Sequence, residues 1–216
     1  MKLVKIGSTN YRRLVDRSLY FKKRLTESVK KILDDVRLYG DEAVSKYTKR
    51  FDKIKITSKN IRVTECETSG AYQDIKPEIV TALKTVMDNV DKFYKKQIRK
   101  SWRTKGKDGV MLGEKLSPIE SVGVYVPSGT VPLVSSVYMT VLPARIAGVK
   151  RIVLVSPPNK FASINPYILV VANLLKVEEI YKIGGAQAIG ALAFGTKTIP
   201  KVDKIVGPGN MYVTEA

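Results

Sequence analysis

Glu179-Ile180-Tyr181-Lys182-Ile183-Gly184-Gly185-Ala186-Gln187-Ala188-Ile189-Gly190 is a short β-rich run that breaks at paired glycines and resumes as a helical pattern of small apolar residues. The run reads as a buried strand, and residues 186–194 read as a helix folded back over it. Three other strands, 122–126, 151–155 and 204–206, and two further helices, 133–147 and 166–175, extend the pattern to βαβαβαβ. Strands that alternate with helices predict a parallel sheet covered by helices, so the fold class is α/β.

Every one of these strands runs into a loop rich in Gly, Pro or Asn. The loops are Pro127-Ser128-Gly129-Thr130, Pro157-Pro158-Asn159, Gly184-Gly185-Ala186-Gln187 and Gly207-Pro208-Gly209-Asn210. In a parallel sheet all four emerge at one carboxyl edge, the edge at which open α/β sheets bind ligands. One glycine-rich loop would read simply as a tight turn; four on one rim point to a site. Gln187 and Asn210 are the polar side chains best placed to hydrogen-bond a base, ribose or amide, and Tyr125 is placed to stack on a ring.

Toward the N-terminus the pattern is helical. Val29, Ile32, Leu33 and Val36 recur at helical spacing, Gly40 is expected to stop that helix in a left-handed cap, and Asp41 to cap the next. The second helix is expected to bury Ala43, Val44, Tyr47 and Phe51. Pro77 suits the first turn of a long amphipathic helix through Val80, Leu83, Val86, Met87, Val90, Phe93, Tyr94 and Gln97. Lys92, Lys95, Lys96, Arg99, Lys100, Arg103, Lys105 and Lys107 crowd its far end. A solvated helix end accounts for them, and a basic module holding nucleic acid or another polyanion is the alternative; with few aromatics interleaved, nucleic acid is not the expected partner.

The chain has 216 residues with 44% hydrophobic content, enough for one large or two small domains. Lys and Arg number 38 against 20 Asp and Glu, a formal charge of +18 that favours an anionic ligand. Residues 1–120 hold 29 of those basic residues and 16 of the acidic ones, so the basic excess belongs to the first half. Histidine is absent, which excludes an imidazole base, a histidine-based triad and a histidine zinc site within this chain. Cys66 is the only cysteine, so an intrachain disulfide and a cysteine cluster are excluded too, and its thiol is expected to be incidental. Asp203 is expected to pair with a nearby lysine, and Glu178 and Glu179 to cap a strand or face solvent. The apolar stretch 167–175 is too short to cross a bilayer and the start has no signal-like core, so a cytoplasmic protein with no membrane partner is expected.

Four motifs in order resemble histidinol dehydrogenase. They are Val122-Gly123-Val124-Tyr125-Val126-Pro127; the stretch 139–148 with Pro143, Ala144, Ala147 and Gly148; Gly184-Gly185-Ala186-Gln187-Ala188-Ile189; and Val202-Asp203-Lys204-Ile205-Val206-Gly207-Pro208-Gly209-Asn210. Asp35-Val36-Arg37, Gly40-Asp41 and the stretch 47–52 resemble that family's N-terminal region. Ser128 departs from a glycine usual in the first loop, and Tyr94 stands where a histidine is common.

The resemblance implies an NAD-dependent, zinc-containing oxidation of L-histidinol to L-histidine by a homodimer. It carries the family's NAD-contacting residues onto Tyr125, Gln187 and Asn210. It implies a mainly helical region at 1–120, part of a second α/β domain, and an incomplete Rossmann-like NAD-binding domain at 121–216. The family's zinc ligands and its glutamate and histidine acid/base pair lie downstream of the last matching motif. No catalytic residue or metal ligand is therefore assigned in this chain, and the chain alone is expected to be inactive.

Overall fold

The computed structural model describes residues 3–15, 23–128 and 132–216. Gly129 and Thr130 of the first glycine-rich loop lie outside the described residues. After α1 (Thr9–Val15), α2 (Lys23–Tyr39) and α3 (Asp41–Phe51) form the expected helical hairpin. Leu25, Val29, Ile32 and Val36 make the buried stripe of α2.

The junction between the two helices differs from the expected caps. Gly40 has φ 52° and ψ −123°, a positive-φ conformation outside the left-handed helical well, and it is itself the N-cap of α3. Asp41 is the first helical residue, where its charge complements the helix dipole, and it accepts a 2.6 Å hydrogen bond from the Thr198 hydroxyl. Ala43, Val44 and Tyr47 are buried, but Phe51 is exposed and stacks on Tyr47 at 5.7 Å. The Tyr47 hydroxyl donates to Asp35 of α2 at 2.7 Å; burial, and then this carboxylate, push the phenol up to about 12.

Next come α4 (Glu65–Gly70), a 3-10 turn and α5 (Pro77–Lys95). A capping box opens α4: Glu67 N–H donates to the Thr64 hydroxyl and Thr64 N–H to the Glu67 carboxylate. Proline starts α5 as expected, yet only Met87 is buried; Val86 and Phe93 stay exposed. The basic stretch is not one helix end, because the helix stops at Lys95. Strands β1 (Trp102–Lys105) and β2 (Met111–Glu114) then form an antiparallel hairpin exposed along its length.

The second half follows the expected order: β3 (Ser121–Tyr125), α6 (Val134–Ile146), β4 (Arg151–Ser156), α7 (Pro166–Leu174), β5 (Glu179–Lys182), α8 (Gly185–Phe194), β6 (Lys204–Val206) and the short α9 (Met211–Glu215). The sheet is parallel with order β5-β4-β3-β6. Ile61 and Val63 run antiparallel along the outer edge of β5, with Val63 N–H donating to Ile180 at 2.8 Å and Lys182 N–H to Ile61 at 2.8 Å. An otherwise open edge is thereby covered.

Alternation along the strands feeds two cores. Val153 and Val155 of β4 face α8, α2 and α3; Ile152 and Leu154 face α6, α7 and α5. Helices therefore cover both faces, which is why β4 reads as an unbroken apolar run. Both cores draw on residues before and after position 120. Gly190 permits the close packing of α8 on α2, since a Cβ there would lie 3.1 Å from Leu33.

Polar side chains fix the strand ends. The Asp203 carboxylate accepts from the Ser121 amide at 2.8 Å and the Ser121 hydroxyl at 2.6 Å, joining β6 to β3. Its partner is thus a serine and not the expected lysine; those bonds hold its carboxyl below the usual range. Glu179 forms a two-pronged pair with Arg151 of β4 at 2.7 and 2.8 Å, so it neither caps its strand nor stands free in solvent. Lys182, with a side chain only 5% exposed, bonds Glu67 of α4 at 2.8 Å.

Candidate functional site

Parallel pairing puts the carboxyl ends of β3, β4, β5 and β6 along one edge of the sheet. A cavity of about 570 Å³ opens there. Tyr125 from the end of β3, Pro157 after β4, Gly185 and Gln187 at the start of α8, and Asn210 and Tyr212 after β6 line it from the sheet side. The hairpin α2–α3 supplies the remaining wall, with Ser28, Lys31, Arg50 and Asp52 among its polar groups. All three residues singled out from the sequence therefore meet in one cavity.

Each presents a distinct chemistry. Tyr125 is only 4% exposed, and its hydroxyl accepts a hydrogen bond from the Gly185 amide at 3.1 Å. The ring is thus held edge-bound in the core as well as lining the cavity, in place of standing free to stack. Burial pushes its phenol above the usual range, opposed by the Gly185 bond and reinforced by the charge of Asp52. A neutral hydroxyl at neutral pH retains a proton to donate.

Gln187 is 1% exposed, and neither its amide oxygen nor its amide nitrogen has a hydrogen-bond partner. A buried amide with both atoms unsatisfied costs on the order of 1–3 kcal/mol per group, so its retention on a cavity wall points to a ligand that completes it. Gly185 makes the placement possible. It adopts φ +64°, and a Cβ there would come within 2.7 Å of Gln187 Oε1. Asn210 instead caps α9, its Oδ1 accepting from the Tyr212 and Val213 amides at 3.0 and 3.1 Å. Only its amide nitrogen is left to donate toward a ligand.

Sequence reasoning missed Asp52. It closes α3, its amide bonding the Thr48 carbonyl at 2.9 Å, while its Oδ2 is buried without a partner. Burial raises its carboxyl to about 6. Its one signal in the sequence is its place at the end of the family-like stretch 47–52, which assigns it no role; only the fold brings it beside Tyr125. Lys31 and Arg50 give the same cavity two cations.

Among the described residues no group of three or more His, Cys, Asp or Glu could hold a metal ion, and no helix is long and apolar enough to cross a membrane. With no histidine and one exposed cysteine, the described residues do not make a zinc centre. The unpaired amide, the phenol and the glycine cradle do fit a dinucleotide.

A family profile for histidinol dehydrogenase matches residues 15–216. A histidinol dehydrogenase of Caldanaerobacter subterraneus subsp. tengcongensis is 46% identical over 215 residues, covering 100% of this chain and 49% of the relative. One from Bacillus cereus is 51% identical over 189 residues, 88% of this chain and 43% of the relative. The crystal structure of histidinol dehydrogenase from Elizabethkingia anophelis superposes with a TM-score of 0.84 at 42% identity, over 88% of this chain and 43% of that one. The chain spans about half the length of the curated relatives it matches.

Proposed function

The chain belongs to the histidinol dehydrogenase family, and from that premise we propose that it carries the NAD-binding part of an enzyme that oxidises L-histidinol to L-histidine in histidine biosynthesis. NAD, when bound, accepts hydride from the substrate carbon. The chain's own residues bind and orient it. Gln187 supplies one donor and one acceptor, matching a carboxamide or the edge of a base; Tyr125 and Asn210 each donate one hydrogen bond; Lys31 and Arg50 face the diphosphate.

The observation that carries this reading is the Gln187 amide, buried on the cavity wall with both polar atoms unsatisfied. Residues 121–216 form the NAD-binding unit in this reading, and residues 1–120 add the wall that holds Asp52. The family resemblance assigns the proton acceptor and the zinc ligands of the reaction to positions beyond the last matching motif, so these 216 residues by themselves are proposed to bind NAD without turning over histidinol. A cytoplasmic homodimer with no nucleic-acid partner completes the proposal.

Calorimetric titration of the 216-residue chain with NAD, beside Gln187→Ala, tests it. Saturable binding that the substitution removes is expected. A folded chain that takes up no NAD, or a variant that binds as the parent does, would overturn the assignment of this cavity.

A further inference from the structure

Among the described residues Asp52 is the only carboxylate lining the cavity, and its buried Oδ2 has no hydrogen-bond partner there. A carboxylate in that position can only accept hydrogen bonds, so what it faces in a bound ligand must donate. An anionic acceptor also repels phosphate at short range. In dinucleotide sites of doubly wound sheets, an acidic side chain beyond the first glycine-rich turn normally receives the ribose hydroxyls. Here the second strand of the unit, β4, runs into Ser156-Pro157-Pro158-Asn159, which holds no acid. The loop after β5, Gly184-Gly185-Ala186-Gln187, holds none either. The sheet therefore lacks the usual ribose acceptor, while helix α3 brings a carboxylate with an unused oxygen to the same cavity.

We infer that Asp52 receives the adenosine ribose diol of the dinucleotide and makes the cavity select NAD over its 2′-phosphorylated form. The inference rests on the cofactor reading above. It assigns to the N-terminal half a role in choosing the ligand. Lys31 and Arg50, on the same wall, remain to meet the diphosphate, so the two cations and the one anion address different parts of one molecule. Asp52 touches the bound nucleotide and no reacting atom, and its function is specificity.

The test is calorimetric titration of the full 216-residue chain, of Asp52→Asn and of Gln187→Ala, each with NAD and with NADP, folding being checked by circular dichroism. Asp52→Asn keeps the shape of the side chain and removes its charge. It is expected to weaken NAD by about tenfold or more, the value of a charge-assisted hydrogen bond, and to narrow the preference for NAD over NADP. A parent chain that binds NAD, loses it in Gln187→Ala and keeps the same NAD-to-NADP ratio in Asp52→Asn would overturn the role of Asp52 while leaving the cofactor site standing. A folded parent chain that binds neither nucleotide would overturn both.

Discussion

The backbone amide of Gly185 donates to the hydroxyl of Tyr125 across 3.1 Å, tying the start of α8 to the end of β3. These two points lie 60 residues apart in the chain, one ending β3 and the other following β5, with β4 between those strands. The bond uses the hydroxyl oxygen as an acceptor and leaves the phenolic proton available to donate. Tyr125→Phe keeps the packing and removes the acceptor. It is expected to lower stability by about 1 kcal/mol, read by urea unfolding, and to weaken NAD several-fold in a titration. Unchanged affinity would show that the phenol serves the fold alone.

Gly185→Ala acts on Gln187 through space. A methyl at this position meets Gln187 Oε1 at 2.7 Å, and the backbone sits at φ +64°, where alanine is strained. About 1–2 kcal/mol of stability should be lost. The larger effect should fall on NAD, with affinity reduced by more than the stability change accounts for. Equal losses in both would argue against an oriented amide at Gln187.

Asp52 gives the folded state a pH signature. Its carboxyl is raised from 3.8 to about 6, because burial disfavours the charged form. The contribution is therefore fully present below the unfolded value near 3.8 and is lost as pH rises through about 6. Asp52→Asn should accordingly be more stable than the parent at pH 7, by about 1 kcal/mol after allowance for partial solvent exposure, with the gap closing below pH 4. Thermal melts across that range check the sign, and a gap that widens toward acid would contradict it.

Lys182 and Glu67 form an asymmetric pair. Lys182 is buried, whereas Glu67 lies at the edge of α4 with its side chain 26% exposed. Burial alone would raise the Glu67 carboxyl, but the hydrogen bonds from Lys182 and Thr64 and the lysine charge outweigh it and hold it below its usual range. Its contribution is thus present above the unfolded value and lost as pH falls through the folded one. Glu67→Gln strands a buried ammonium and is expected to cost about 3 kcal/mol, whereas Lys182→Met, which removes the buried charge, should cost under about 1 kcal/mol. Denaturant midpoints of the two variants decide the order.

Much of the second half was legible residue by residue. The runs at 122–126, 151–155 and 204–206 lie within a residue of strands in the structure, because buried parallel strands need continuous β-branched stretches that little else in a sequence resembles. The hairpin at 102–114 is less legible, because its two four-residue strands are exposed throughout and no buried face imposes an apolar alternation on them. Its one local signal was Asp108-Gly109, which takes positive φ at both residues between two short β-prone runs. The Thr64 and Glu67 spacing that opens α4 was likewise a readable capping box. Phe51 followed the helical period of α3 yet ended exposed, because periodicity says which face a residue shares and not how far the neighbouring element extends.

What the sequence determined by itself was the parallel α/β order and the convergence of Tyr125, Gln187 and Asn210, because strand direction and loop position follow from local pattern and handed connection. What only the tertiary structure decided was the other wall of the cavity. Asp52, Lys31 and Arg50 reach it because α2 and α3 dock on α8 through a stripe of apolar side chains. That docking is set by the complementary shape of surfaces far apart in the chain, and no local spacing encodes it.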